Sequence, residues 1–267
     1  MFVRHLRLGT YILLSLFIYT YLWPEDLAVC KTFQPGWVGM VIGRNLAMGW
    51  LLYGGWHYIL YDSPLHANME GKKFNKIDQY RPGTTNKRRE MFYTSQGLLI
   101  GAIFECLMMH LWGTGRVPYV ADFWASPVSS IGWVLFVGYW RDFHFFWIHR
   151  WMVRPALPID GLFGHTGPFL TVSLGPFANI TCFAQHFEPI YKYVHSLHHK
   201  SYNPGPWSGL SMHPVEHLLY YGCMMVPALW IPQHPFAVLY NRVHLVTPPP
   251  PPRPLRQPCR PRRPCGD

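Results

Sequence analysis

His195, His198 and His199 stand in an HxxHH cluster inside YKYVHSLHHKSYNPGPWSGLSMHPVEH, and neutral imidazoles at that spacing are ligands that a transition metal takes. On a helix the three positions fall within about 100° of one another, so their ring nitrogens can converge on one side. His213 and His217 follow at i,i+4, and His144 and His149 lie upstream at the end of an apolar run. Imidazole serves iron, zinc, copper and nickel alike, so the residues by themselves leave the metal open. Core filling suits the cluster poorly, because three imidazoles beside Lys200 and the turn-forming stretch from Tyr202 to Pro206 make a poor packing surface. For His57, His66, His110, His165 and His234, each standing alone, ordinary structural roles are expected.

The elements that must hold these groups are long and apolar. Of 267 residues, 49% are hydrophobic, 17% aromatic and 13% charged, the balance of a membrane protein. Leu8–Trp23, Gly36–Tyr61, Met91–Trp112, Val128–Ile148 and Leu218–Tyr240 each approach or exceed the ~20 residues that a spanning helix needs. The first reads as a retained anchor rather than a signal peptide, since no small-residue cleavage site follows it. Arg44, Asn45, Glu105, His110, Arg141 and Asp142 interrupt these runs and are expected to face the bundle interior or the interface. Pro227, Pro232 and Pro235 interrupt the last run, which reads as two half-helices or a re-entrant hairpin. The expected fold is therefore all-α: a multi-pass transmembrane bundle of about four spans with a histidine-rich cap.

Charge sets the orientation. Of the net +10, the last 21 residues carry +4, and much of the rest sits in Lys72, Lys73, Lys76, Arg81, Lys87, Arg88 and Arg89 between the second and third runs. By the positive-inside rule this loop and the N-terminus are cytosolic, which puts the loop around Asp122 on the far side and the histidine cluster in the cytosol. These basic residues read as a topology signal with some affinity for anionic lipid, so no nucleic-acid partner is expected. Six cysteines without a regular spacing imply no disulfide framework. Asp142, Glu188 and Glu216 are placed to orient ligand histidines through their second ring nitrogen, or else to cap helices and meet solvent. Trp207 and Tyr202 are expected at a lipid-facing mouth or in an interfacial aromatic belt.

FHFFWIHRWM (143–152) and the stretch 191–217 together resemble the fatty acid hydroxylase/sterol desaturase superfamily, over roughly residues 90 to 245. The resemblance implies a membrane-embedded non-haem di-iron oxygenase of the endoplasmic reticulum, its histidine boxes at the cytosolic helix ends. Electrons would come from NAD(P)H through cytochrome b5 or a similar carrier protein. His149 then looks like the first histidine of an HxxxH box, and His195, His198 and His199 match the HxxHH box. His213 falls where the family keeps a histidine beside the metals, with His217 and His144 as further candidate ligands. Val153 occupies the position where the first box needs its partner. Deleting 153–185, a Pro- and Gly-rich stretch without helical period, brings His186 four residues after His149 and regenerates HxxxH. That segment is therefore expected to be an insertion, such as a retained intron. A family member would also carry a further HxxHH box downstream; here LYNRVHLVTP leads instead into the Pro/Arg-rich tail 247–267, which is expected to be disordered.

These readings give one membrane-embedded domain over 1–246 and a tail over 247–267. The expected activity is iron-dependent, oxygen-consuming hydroxylation or desaturation of a sterol or fatty-acyl substrate in lipid biosynthesis. The rival expectation is a catalytically incomplete isoform, a membrane scaffold or dominant-negative partner that pairs with itself or with intact relatives. A histidine-lined metal transporter fits less well, because transporters place ligands at mid-membrane on broken helices.

Overall fold

The computed structural model describes residues 2–24, 26–65, 85–152, 191–201 and 205–246. Among them every regular element is helical: α1 (Phe2–Tyr21), α2 (Pro35–His57), α3 (Thr85–Gly113), α4 (Pro127–Met152), the short α5 (Ser196–His199), α6 (Pro214–Trp230) and α7 (Pro235–Val246). The expected insertion 153–185, His186, Glu188, most of the basic loop and the tail 247–267 lie outside the described residues. Lys87, Arg88 and Arg89, read above as part of that loop, instead form the opening of α3.

Local chemistry explains where the helices begin and end. Pro35 opens α2 at a position whose N–H needs no partner, after Gln34 in extended geometry. Asp122 accepts a hydrogen bond from the Trp124 amide (2.9 Å) in the turn that leads to α4. Pro214 opens α6, and α7 opens at Pro235 after Pro232 breaks the chain. The run 218–240 is therefore two helices. They lie antiparallel: Tyr220, early in α6, donates to the Leu245 carbonyl near the end of α7 (3.4 Å). At the opposite end the Val120 amide donates to the Gln233 carbonyl (3.1 Å), so the α6–α7 link and the α3–α4 link meet.

Helix α7 is the centre of the bundle. It packs on α1, α4 and α6, and nine of its twelve residues are buried. Helix α3 packs on α2 and α6, and two of its glycines, one turn apart, set how closely. A Cβ at Gly97 would stand 2.3 Å from the His217 ring, and at Gly101 it would overlap the Arg242 guanidinium. This small-xxx-small pattern lets polar side chains press against the α3 backbone.

Of the polar residues expected to face the bundle interior or the interface, Arg44, Asn45 and Glu105 are buried, His110 and Arg141 are half-buried, and Asp142 is exposed. Arg44 pairs with Glu105, whose other oxygen accepts from Asn45 Nδ2 at 2.8 Å. His110 Nδ1 meets the Cys30 carbonyl at 3.0 Å. Arg141 bonds Asp142 (2.6 Å) and donates to His244 Nδ1 (2.8 Å). Cys30, Cys106 and Cys223 are buried free thiols. Among the described residues one helix, Asn86–Gly113, is long and apolar enough to cross a membrane by length and composition.

Candidate metal centre

Three turns in sequence build the cap. A π-helical turn over Tyr191–His195 runs straight into α5, which keeps His195, His198 and His199 on one helical segment. A 3₁₀ turn over Pro206–Ser208 then carries the chain back toward the bundle, and His213 caps α6. Helix α3 holds this assembly: Arg89 donates to the Lys200 carbonyl (3.0 Å) and Thr94 to the Trp207 carbonyl (2.6 Å). Trp207 corrects the expectation drawn for it. Its indole is 2% exposed and packs against Trp50 and Tyr53, because the turn aims it into the α2–α3 groove rather than toward an interface.

His195 is the fixed point. It is buried, and its Nδ1 lies 2.7 Å from Glu216 Oε1, itself buried. A carboxylate accepts, so Nδ1 carries the proton and Nε2 is left with its lone pair. That Nε2 faces His199 Nε2 at 3.0 Å. Without a cation between them, His199 donates Nε2–H to His195; with one, His199 must carry its proton on Nδ1. Ligand nitrogens about 2.1 Å from a shared ion stand roughly 3 Å apart, so this pair fits a metal. The His198 ring lies 5.9 Å from that of His199, and its buried Nδ1 has no hydrogen-bond partner among the described residues. Burial foremost, then the neighbouring imidazoles, lowers the His198 pKa; burial and then His195 lowers that of His199. Both therefore keep their lone pairs to lower pH than an ordinary histidine.

Glu216 also caps a helix, the role named above as its alternative, so it fills both. Its Oε2 accepts from the His213 amide (3.4 Å), while His213 Nδ1 accepts from the Val215 amide (3.2 Å). These two bonds form a capping box at the start of α6. The carboxylate is thus locked to the helix N-terminus while it orients His195. His213 accepts at Nδ1 for the cap, so its neutral ring carries the proton on Nε2.

His217, one residue on, is fully buried against Gly97. The carbonyls of Tyr93 and Leu210 lie near its ring, but neither completes a hydrogen bond, so both ring nitrogens lack partners among the described residues. His144 is half-buried on α4, its Nδ1 likewise without a partner among them, its ring 6.1 Å from Trp140. His149 lies in the last turn of α4, but its side chain, like all of His186, is outside the described residues. The structure thus brings together His195, His199, His198 and Glu216. Among the described residues no three His, Cys, Asp or Glu side chains converge on one point as a metal would require. His110 and His234 hold structural hydrogen bonds, the latter capping Phe236 (3.1 Å). Comparison with protein-family models, with curated proteins and with solved structures returned no match.

Proposed function

We propose that this chain comes from the fatty acid hydroxylase/sterol desaturase lineage and binds iron through its histidine cap, for oxygen-dependent hydroxylation or desaturation of a sterol or fatty-acyl lipid. The observation that carries this reading is the His195 ring, held by a buried carboxylate at one nitrogen and facing His199 at the other. Metal-binding histidines are commonly oriented this way. His195 and His199 would hold iron, with His198 and His217 supplying the further unpartnered nitrogens. When bound, iron supplies the redox chemistry with oxygen that no amino-acid side chain has.

The chain's own residues do the rest. Glu216 fixes the His195 tautomer; burial lowers the pKa values of His198 and His199 and keeps both in their lone-pair form. Thr94 and Arg89 fasten the cap to α3, and Trp207 closes the space behind it.

The membrane setting has its own support. Exposed large side chains recur at i,i+4 on α4 (Leu135, Tyr139, Phe143, Trp147) and on α1 (Leu13, Phe17, Tyr21), continuous apolar stripes of a kind that water does not favour. At 1.5 Å per residue α2, α3 and α4 are each longer than the ~30 Å hydrocarbon core. We read α1 to α4 as spans, α6 and α7 as a helical hairpin within them, and the cap as cytosolic, in the endoplasmic reticulum, with electrons delivered by cytochrome b5 or a similar carrier.

Expression of the chain in cells supplied with ¹⁸O₂, followed by lipid profiling, tests the activity. An ¹⁸O-labelled hydroxylipid or a new double bond that vanishes in His195→Ala supports it; lipid profiles identical in both contradict it. The second reading, a membrane scaffold that no longer turns over, is favoured by one observation: the described donors meet as a pair and not as three.

A further inference from the structure

The outer face of α4 carries a charge where lipid is expected. Its inner face is anchored: Trp140 Nε1 donates to the Cys223 carbonyl on α6 (2.8 Å), and Arg141 Nη1 donates to His244 Nδ1 on α7 (2.8 Å). Asp142 points the other way, its side chain 70% exposed. It lies within the apolar run rather than at its end, since Phe143, Phe145, Phe146 and Trp147, all exposed, follow it along the helix. At 1.5 Å per residue Asp142 stands about 22 Å from the first residue of α4 and about 15 Å from the last. A carboxylate at such a depth is costly against hydrocarbon and normally faces protein or a partner charge. Arg141 offsets its charge without covering it: Nε and Nη2 both bond Oδ1, at 3.0 and 2.6 Å, and among the described residues Oδ2 accepts no bond.

Asp142 belongs to a seam. Val128, Ile131, Leu135, Tyr139, Asp142 and Phe146 follow one another at steps of three and four residues, and all are exposed. Val128, Leu135 and Asp142 stand seven apart, the repeat that keeps one face of a helix against a parallel neighbour, and a single polar residue in such a seam fixes its register. Copies of one chain share a membrane orientation, so their α4 helices run parallel and a two-fold axis lays each seam on itself. In this packing a seam residue enters a hole on the facing helix that includes the residue preceding its own counterpart. For Asp142 that residue is Arg141 of the second copy. Arg141 has donors to spare, because only three of its five N–H groups are used, on Asp142 and His244. Two carboxylates and two guanidiniums then meet, and their charges cancel.

We propose that the outer face of α4 is a homodimer contact, formed in the membrane by two copies of this chain packed side by side along the seam from Val128 to Phe146, each Asp142 accepting from Arg141 of the other. The second copy is the occupant that the charges favour: lipid chains leave the outer edge of the carboxylate bare, whereas the seam carries both halves of the ion pair that would cover it. The contact rests on the reading of α4 as a span; iron and the oxygenase activity play no part in it.

The test uses the full chain in microsomal membranes, with Cys182, Cys259 and Cys265 replaced by serine, a single cysteine placed on α4, and oxidation by copper phenanthroline. Val128→Cys and Leu135→Cys, on the seam, should give a reducible band of twice the chain's mass. Phe136→Cys and Trp147→Cys, also exposed but turned about 100° and 140° from the nearest seven-spaced residue, should give a band several-fold weaker. In the Leu135→Cys chain, Asp142→Lys sets four cations together and should weaken the band about tenfold, the scale of a lost polar contact between membrane helices. Asp142 is exposed, so this variant should keep the parent's thermal midpoint; the pattern across the four positions stands without it. No band at any position, equal bands at all four, a band of another mass, or a band unchanged by Asp142→Lys overturns the proposal. Carbonate extraction of the same membranes tells the two readings apart: a chain that stays in the membrane without cross-linking removes the dimer alone, and one released by carbonate removes the span as well.

Discussion

The His195 imidazole and the Glu216 carboxylate meet at 2.7 Å, both buried, although 21 residues separate them. That single bond joins the histidine cluster to the first turn of α6, so the geometry of the candidate metal centre depends on a helix cap. Glu216→Gln keeps the size and a hydrogen-bonding side chain but removes the charge that holds His195 in one tautomer. Its iron affinity should fall by about ten- to a hundredfold, the usual effect of losing such a partner. Glu216→Ala should add a loss of ~1 kcal/mol from the broken cap. Iron titration and thermal unfolding separate the two effects; equal iron affinity in Glu216→Gln and the parent would remove Glu216 from the site.

The lowered pKa values of His198 and His199 fix the direction of a pH dependence. Both start from an ordinary value of 6.5 and are depressed, chiefly by burial. As pH falls below about 6.5 the unfolded chain takes up these protons first. Their contribution to stability is therefore steady above that pH and is lost as pH drops toward the lower folded values. Protons compete with metal for the same lone pairs, so iron should be retained unchanged from pH 8 to about 6.5 and released only below it. Thermal midpoints and bound iron measured across pH 8 to 5 check both statements, and release that begins near pH 7.5 would contradict them.

Gly97 and Gly43 make a matched pair. A methyl group at Gly97 would meet the His217 ring at 2.3 Å, whereas one at Gly43 meets nothing within 4 Å. Gly97→Ala should destabilise the protein by about 1 to 3 kcal/mol through overpacking, and Gly43→Ala should be neutral or slightly stabilising. Unfolding of the two variants in the same detergent reads the difference directly; equal stabilities would mean that α3 and α6 are not in this contact.

The proposed orientation separates two ends of α4. With Cys182, Cys259 and Cys265 replaced by serine, Ser201→Cys should react with a membrane-impermeant maleimide added outside sealed microsomes. Asp122→Cys should react only after the vesicles are opened. Labelling of both from outside would defeat the span assignment.

Much of this architecture was legible before any coordinates. The apolar runs mark where α1 to α4 lie, with ends displaced by up to six residues, because the polar turns at helix ends such as Thr85–Glu90 carry no apolar signal. Pro232 and Pro235 marked the break between α6 and α7, since proline ends the hydrogen-bond ladder. Arg44, Asn45 and Glu105 are legible as inward-facing, yet Arg242, the partner of Asn45 and Glu105, is not, because pairing across 137 and 197 positions leaves no local period. Trp207 was misassigned for a related reason: composition cannot say which way a short turn points a side chain. His213 was legible only as a family-like position, and in the structure its Nδ1 caps α6.

The central claim is that His195 and His199, poised by Glu216, hold iron. Anaerobic titration of the purified full chain with Fe(II), alongside His195→Ala and His199→Ala, tests it most directly. The account predicts saturable binding to the parent chain and a loss of at least tenfold in affinity in each variant, with all three proteins folded. Absence of saturable binding, or binding equal in all three, would contradict it.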